Sequence, residues 1–79
     1  MDTPENNIET LNLALEQDPN NPQLLLQRGK AYHRAGRFDR AYNDFVAVLA
    51  ADPENAEARE YLKLLKEIFA FHYVDLYNP

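Results

Sequence analysis

Apolar residues recur along the chain at helical spacing, in runs broken by proline and glycine. Ile8, Leu11 and Leu15 stand at i, i+3 and i+7, which places them on one stripe of a helix. Ala41, Phe45, Val48 and Leu49 form the same kind of stripe further along. Proline cannot continue a helix and restricts the residue before it. The turns around Pro19, Pro22 and Pro53 therefore predict helices over 5–17, 22–35, 38–51 and 55–73. Ala35-Gly36-Arg37 joins the second to the third. Gly36 can end a helix in the left-handed conformation without steric cost, and so short a link makes the two helices antiparallel neighbours.

The pattern also repeats. Asp18-Pro19-Asn20-Asn21-Pro22 returns as Asp52-Pro53-Glu54-Asn55-Ala56, a shift of 34 residues, and the same shift carries Leu11 onto Phe45, Ala14 onto Val48 and Leu15 onto Leu49. Core-facing positions thus recur together with the turn that ends them, the mark of a stacked repeat. The fourth helix is apolar on two sides: Ala58, Leu62, Leu65 and Phe69 form one stripe, with Tyr61, Leu64, Ile68 and Phe71 beside it. A terminal helix is ordinarily wetter than this. Phe69, Phe71, Tyr73 and Tyr77 crowd the last eleven residues, so something is expected to cover them, either their own domain or a docked neighbour.

Composition narrows the range of functions. With 79 residues the chain suffices for one small domain with a narrow stability margin. It has no cysteine for disulfides, and its two histidines, His33 and His72, lack the neighbouring ligands a metal site needs. Eight basic against thirteen acidic residues give a net charge of −5, which argues against nucleic acid as a partner. Five of the basic residues, Arg28, Lys30, Arg34, Arg37 and Arg40, nevertheless lie within thirteen positions that contain one acid, Asp39. The start of the chain lacks the basic and apolar regions of a signal peptide, and no apolar run reaches bilayer length, so a cytoplasmic protein away from membranes is expected. No base, orienting partner and nucleophile can be assembled around His33, so neither catalysis nor a cofactor is expected.

Residues 22–55 resemble one tetratricopeptide repeat. Leu25, Gly29 and Tyr32 stand at the spacing of its first helix, and Ala41, Phe45 and Pro53 at that of its second. Small residues, Gly29 and Ala41, permit a close crossing, and Tyr32 and Phe45 fill the space beside it. Leu25 replaces the usual aromatic and Arg28 the usual leucine. As in many members that resemble this chain, Arg28-Gly29 occurs with Asp44-Phe45, which implies an ion pair between Arg28 and Asp44. The expected fold is an all-α, antiparallel helix-turn-helix array of about four helices in a single domain over 1–79. Within it, 5–21 form the second helix of a partial repeat, 22–55 a complete repeat and 56–79 a long capping helix with the aromatic tail. The plan also resembles short stand-alone bacterial tetratricopeptide proteins that end, as here, in Tyr77-Asn78-Pro79.

The resemblance implies a scaffold that binds another protein or peptide on the concave side of its first helices. It maps that groove to Gln23, Leu26, Lys30, His33 and Arg34. Steps of three and four independently put these residues on one face, opposite Leu25, Gly29 and Tyr32. Such a strip can recognise acidic groups of a partner, or it can be a solvated face balanced by Glu57, Glu60 and Glu67 on the fourth helix. Leu26 and Lys30 do not meet the family's carboxylate clamp for chaperone tails. The alternative function is self-association as a homodimer through the terminal helices, with Leu64, Ile68 and Phe71 as the candidate contact surface.

Overall fold

The computed structural model describes residues 4–72, with side chains placed for 7–70. Among the described residues four α-helices follow one another: α1, Pro4–Gln17; α2, Pro22–Arg34; α3, Phe38–Ala51; and α4, Ala56–His72. No strand occurs among the described residues. Each helix packs on the next, α1 on α2, α2 on α3 and α3 on α4. The result is an all-α array of antiparallel helix-turn-helix units.

The repeated turn has a physical basis in its asparagine. Asn21 Oδ1 accepts from the backbone N–H groups of Gln23 and Leu24 at 2.9 and 3.3 Å, and Pro22 occupies the first position of α2, where its missing N–H costs nothing. Asn55, 34 residues later, accepts from the Ala58 N–H at 2.8 Å. This is why α4 starts at Ala56 and not at residue 55: the asparagine is the cap. At the other end of α2 the Arg37 N–H reaches Tyr32 O at 2.9 Å and the Gly36 N–H reaches His33 O at 3.1 Å. Those paired bonds close the helix in a Schellman turn, with Gly36 at φ 79°, and leave Ala35 outside it.

The core runs through the whole array. Phe45, Val48 and Leu65 are fully buried, joined by Ile8, Leu15, Leu25, Tyr32, Ala58 and Leu62. Each large apolar side chain so placed contributes about 1.5 to 3 kcal/mol against solvent exposure. α2 and α3 touch at Gly29: a Cβ there would lie 2.8 Å from the Phe45 ring, so the crossing distance depends on a missing side chain. Ala41 is buried in the same region.

Arg28 joins three helices. Its Nε and Nη2 donate to the two oxygens of Asp44 on α3 at 2.8 and 2.7 Å, and its Nη1 donates to Asn12 Oδ1 on α1 at 2.8 Å. Asp44 is 4% exposed, so the bidentate guanidinium compensates most of the desolvation of its carboxylate. The bond to Asp44 raises the Arg28 pKa above its already high ordinary value, against the opposing effect of burial.

The two apolar sides of α4 have separate uses. Ala58, Leu62 and Leu65 enter the core, while Tyr61 and Ile68 pack partly against it. Tyr61 stacks on Phe45 with ring centroids 4.7 Å apart, and Phe69 meets Tyr42 at 5.6 Å. Leu64 alone of these side chains is among the exposed large apolar residues. The remaining surface of α4 is polar, with Arg59, Lys63 and Lys66 exposed. The side chain of Phe71, and the tail with Tyr73 and Tyr77, lie outside the described residues.

Candidate polypeptide-binding face

α2 displays the sequence-predicted residues in two groups. Gln23 and Arg34 are exposed near its ends, while Leu26, Lys30 and His33 between them are half-buried, Lys30 and His33 against α4. Capping by Asn21 and Pro22 fixes where the helix starts, and the Gly29–Phe45 contact fixes the face it turns to α3. Leu26, Lys30 and His33 then point along the α2–α4 side by helical geometry. Lys30 Nζ meets Glu57 Oε2 at 2.7 Å across that side. The expectation that α4 supplies balancing acids is thus met at Lys30. Arg34 has no ion-pair partner among the described residues.

His33 has a structural use. Its ring lies 5.4 Å from that of Phe38 and 5.3 Å from that of Tyr61, centroid to centroid, and joins α2 to the start of α3 and to α4. Its Nε2 is buried without a hydrogen-bond partner. A ring held this way links the three helices. Spacing alone could not show this, because Phe38 and Tyr61 are remote from it in helical register.

On the facing wall Glu60, Leu64 and Glu67 are exposed, Leu64 to 47%. The surface between α2 and α4 therefore offers apolar contacts at Leu26 and Leu64, a bound Lys30–Glu57 pair, and further charge of both signs. Ile68 is half-buried against the core, so of the predicted self-association residues with described side chains only Leu64 is openly presented. Sequence reasoning missed Asn12, whose contact with Arg28 extends the ion pair to α1. An asparagine on a helix surface carries no signal of a partner two turns and a loop away.

No group of His, Cys, Asp and Glu able to hold a metal occurs among the described residues. No helix among them is long and apolar enough to cross a membrane.

A capped helix pair repeating at 34 residues, closed at a glycine against a phenylalanine, has a counterpart among known families. The model of the Tetratricopeptide repeat family matches residues 2–72. The chain belongs to the tetratricopeptide repeat family. It is 34% identical over 71 residues to Protein PHOX1 of Arabidopsis thaliana, covering 90% of this chain and 10% of that protein. It is 40% identical over 60 residues to the peptidyl-prolyl cis-trans isomerase FKBP4 of Mus musculus, covering 76% of this chain and 13% of the isomerase. It is 37% identical over 70 residues to Tetratricopeptide repeat protein 16 of Homo sapiens, covering 82% of this chain and 8% of that protein. The chain thus spans roughly a tenth of the length of these relatives, and isomerase chemistry does not transfer with so short a match. No solved structure matches significantly. Membership makes the chain a protein-interaction module in general terms.

Proposed function

We propose that this tetratricopeptide module binds a segment of another polypeptide on the concave side of α2 and α4. Gln23, Leu26, Lys30 and Arg34 provide the contacts from α2, and His33 holds α4 at the angle that keeps the groove open. The working unit is the complete repeat over 22–55, with the partial repeat before it and the capping helix after it. It binds and performs no reaction, and its cysteine-free composition fits the reducing cytoplasm. The observation that carries the reading is the Lys30–Glu57 pair, 2.7 Å long, which links α2 to α4, with half-buried Leu26 on the first helix and exposed Leu64 on the second. Apolar anchors beside charges of both signs suit a peptide that brings one apolar side chain and polar flanks.

Affinity capture with Leu26→Ser plus Lys30→Glu tests it. The double variant is expected to lose the polypeptides captured by the parent chain while its helical circular dichroism persists. Unchanged capture by a folded double variant would place binding elsewhere.

A second reading is favoured by the exposure of Leu64: self-association as a homodimer through the terminal helices, with Leu64 as a contact on α4. Sedimentation equilibrium decides it. A mass that stays near 9.2 kDa as concentration rises excludes the homodimer, whereas a dimer weakened by Leu64→Ser supports it.

A further inference from the structure

A groove of about 340 Å³ opens between α1 and α2, lined by Asn7, Thr10, Leu11, Gln27, Lys30 and Arg34. Moved by the 34-residue repeat, these positions become Ala41, Asp44, Phe45, Tyr61, Leu64 and Ile68. That second set belongs to α3 and α4, where α2 itself is seated: Arg28 pairs with Asp44, Gly29 abuts Phe45, and His33 packs on Tyr61. The open groove is therefore the repeat equivalent of one that a helix fills. Among the described residues nothing fills it.

The filled groove also gives the direction and reach of its occupant. Lys30 meets Glu57 and His33 meets Tyr61, so α2 and α4 run parallel, and α2 ends at Arg34. Leu64 and Ile68 thus lie beyond the last turn of α2, in keeping with the 47% exposure of Leu64. In the open groove their equivalents are Lys30 and Arg34. Two cations accordingly lie past the C-terminal end of a helix seated there as α2 is in the filled groove, where unpaired carbonyls and the negative end of the helix dipole favour positive charge. No carboxylate lines the groove. Arg34 has no ion-pair partner among the described residues, and Lys30, though bound to Glu57, retains further N–H donors.

We infer that this groove takes the C-terminal turns of an acidic α-helix from another polypeptide, parallel to α2, whose last-turn carboxylates are held by Lys30 and Arg34. Leu11 offers the one apolar contact, and Asn7, Thr10 and Gln27 suit polar flanks. A second copy of α4 does not fit, because Lys63 and Lys66 stand where α2 has Gly29 and Tyr32. At Gly29 even a Cβ would come within 2.8 Å of the ring on the facing helix. The site adjoins the concave side of α2 and α4 and shares Lys30 and Arg34 with it, whereas Asn7, Leu11 and Gln27 belong to the open groove alone.

The probe is a synthetic peptide of residues 22–34 with Arg28→Gln, Lys30→Glu, His33→Glu and Arg34→Glu, titrated into the isotope-labelled chain and followed by amide resonances. The expected result is saturable shifts at Asn7, Leu11 and Gln27. Binding should weaken about fivefold or more when the peptide keeps its basic last turn, and about fivefold in the Gln27→Glu chain. Gln27 is exposed, so that variant should keep full helicity. The inference is overturned if no resonance shifts, or if acidic and basic peptides bind alike. Shifts confined to Leu26, Glu57 and Leu64 would overturn it while leaving the concave-face reading intact. A mass that rises with concentration in sedimentation and is lost in Gln27→Glu would make the occupant a second copy, which also overturns it.

Discussion

The groove that α2 fills and the one left open beside α1 are built from equivalent positions of the repeat, yet their chemistry differs at every lining residue. The filled one is lined by Ala41, Asp44, Phe45 and Tyr61; the open one offers Asn7, Thr10, Leu11 and Gln27. Where a helix is seated, a small residue permits close approach, a buried carboxylate holds an arginine, and two stacked rings fill the space. Where none is seated, the same backbone positions carry polar side chains and, in place of Phe45, the smaller Leu11. A repeat position therefore takes its residue from what covers it.

Several substitutions test how deep that difference runs. Phe45→Ala should show the largest effect, a loss of about 3 to 5 kcal/mol from a fully buried ring, whereas Leu11→Ala at the equivalent open position should cost well under half as much. Chemical denaturation of both variants measures the contrast, and equal losses would mean that the open groove is as tightly packed as the filled one. Next is the ion pair. Asp44→Ala leaves a half-buried Arg28 unpaired and should cost about 2 to 4 kcal/mol, less than that when combined with Arg28→Met, because the orphaned charge is then gone. Additive losses in the double variant would show the pair to be uncoupled.

Gly29→Ala comes third. Alanine favours a helix by about 1 kcal/mol over glycine, but its Cβ would meet the Phe45 ring at 2.8 Å, and that ring is fully buried. Overpacking should prevail, with a net loss of about 1 to 2 kcal/mol in thermal unfolding; a stabilised variant would show that α2 can draw back. His33→Phe should be neutral or stabilising by up to about 1 kcal/mol, since it removes a buried nitrogen without a partner and keeps the ring contacts with Phe38 and Tyr61. A marked loss would reveal a partner for Nε2. The smallest effect belongs to Lys30 and Glu57. Their exposed pair should show a coupling of about 0.2 to 1 kcal/mol in a double-mutant cycle, fading as salt is added.

Helix number, order and turns were legible in the sequence because proline, glycine and asparagine act locally. Asn21 and Asn55 cap within three residues of themselves, and Gly36 closes α2 through bonds that span six positions. The Arg28–Asp44 pair was legible through the family resemblance and is present as a bidentate contact. The candidate face was legible as a set of side chains at helical spacing, but not in its division of labour. Spacing gave His33 the same standing as Lys30, although one is wedged between rings and the other bonded to Glu57.

The sequence by itself determined that this chain is a short tetratricopeptide array, because the caps and turns act within one or two turns of helix and the 34-residue register is written along the chain itself. Only the tertiary structure decided which side chains are already engaged. Whether a cation is paired, a ring wedged or a groove empty depends on distances between helices that are far apart along the chain. The tie from Arg28 to Asn12, the stack of Tyr61 on Phe45 and the open groove between α1 and α2 are all of this kind.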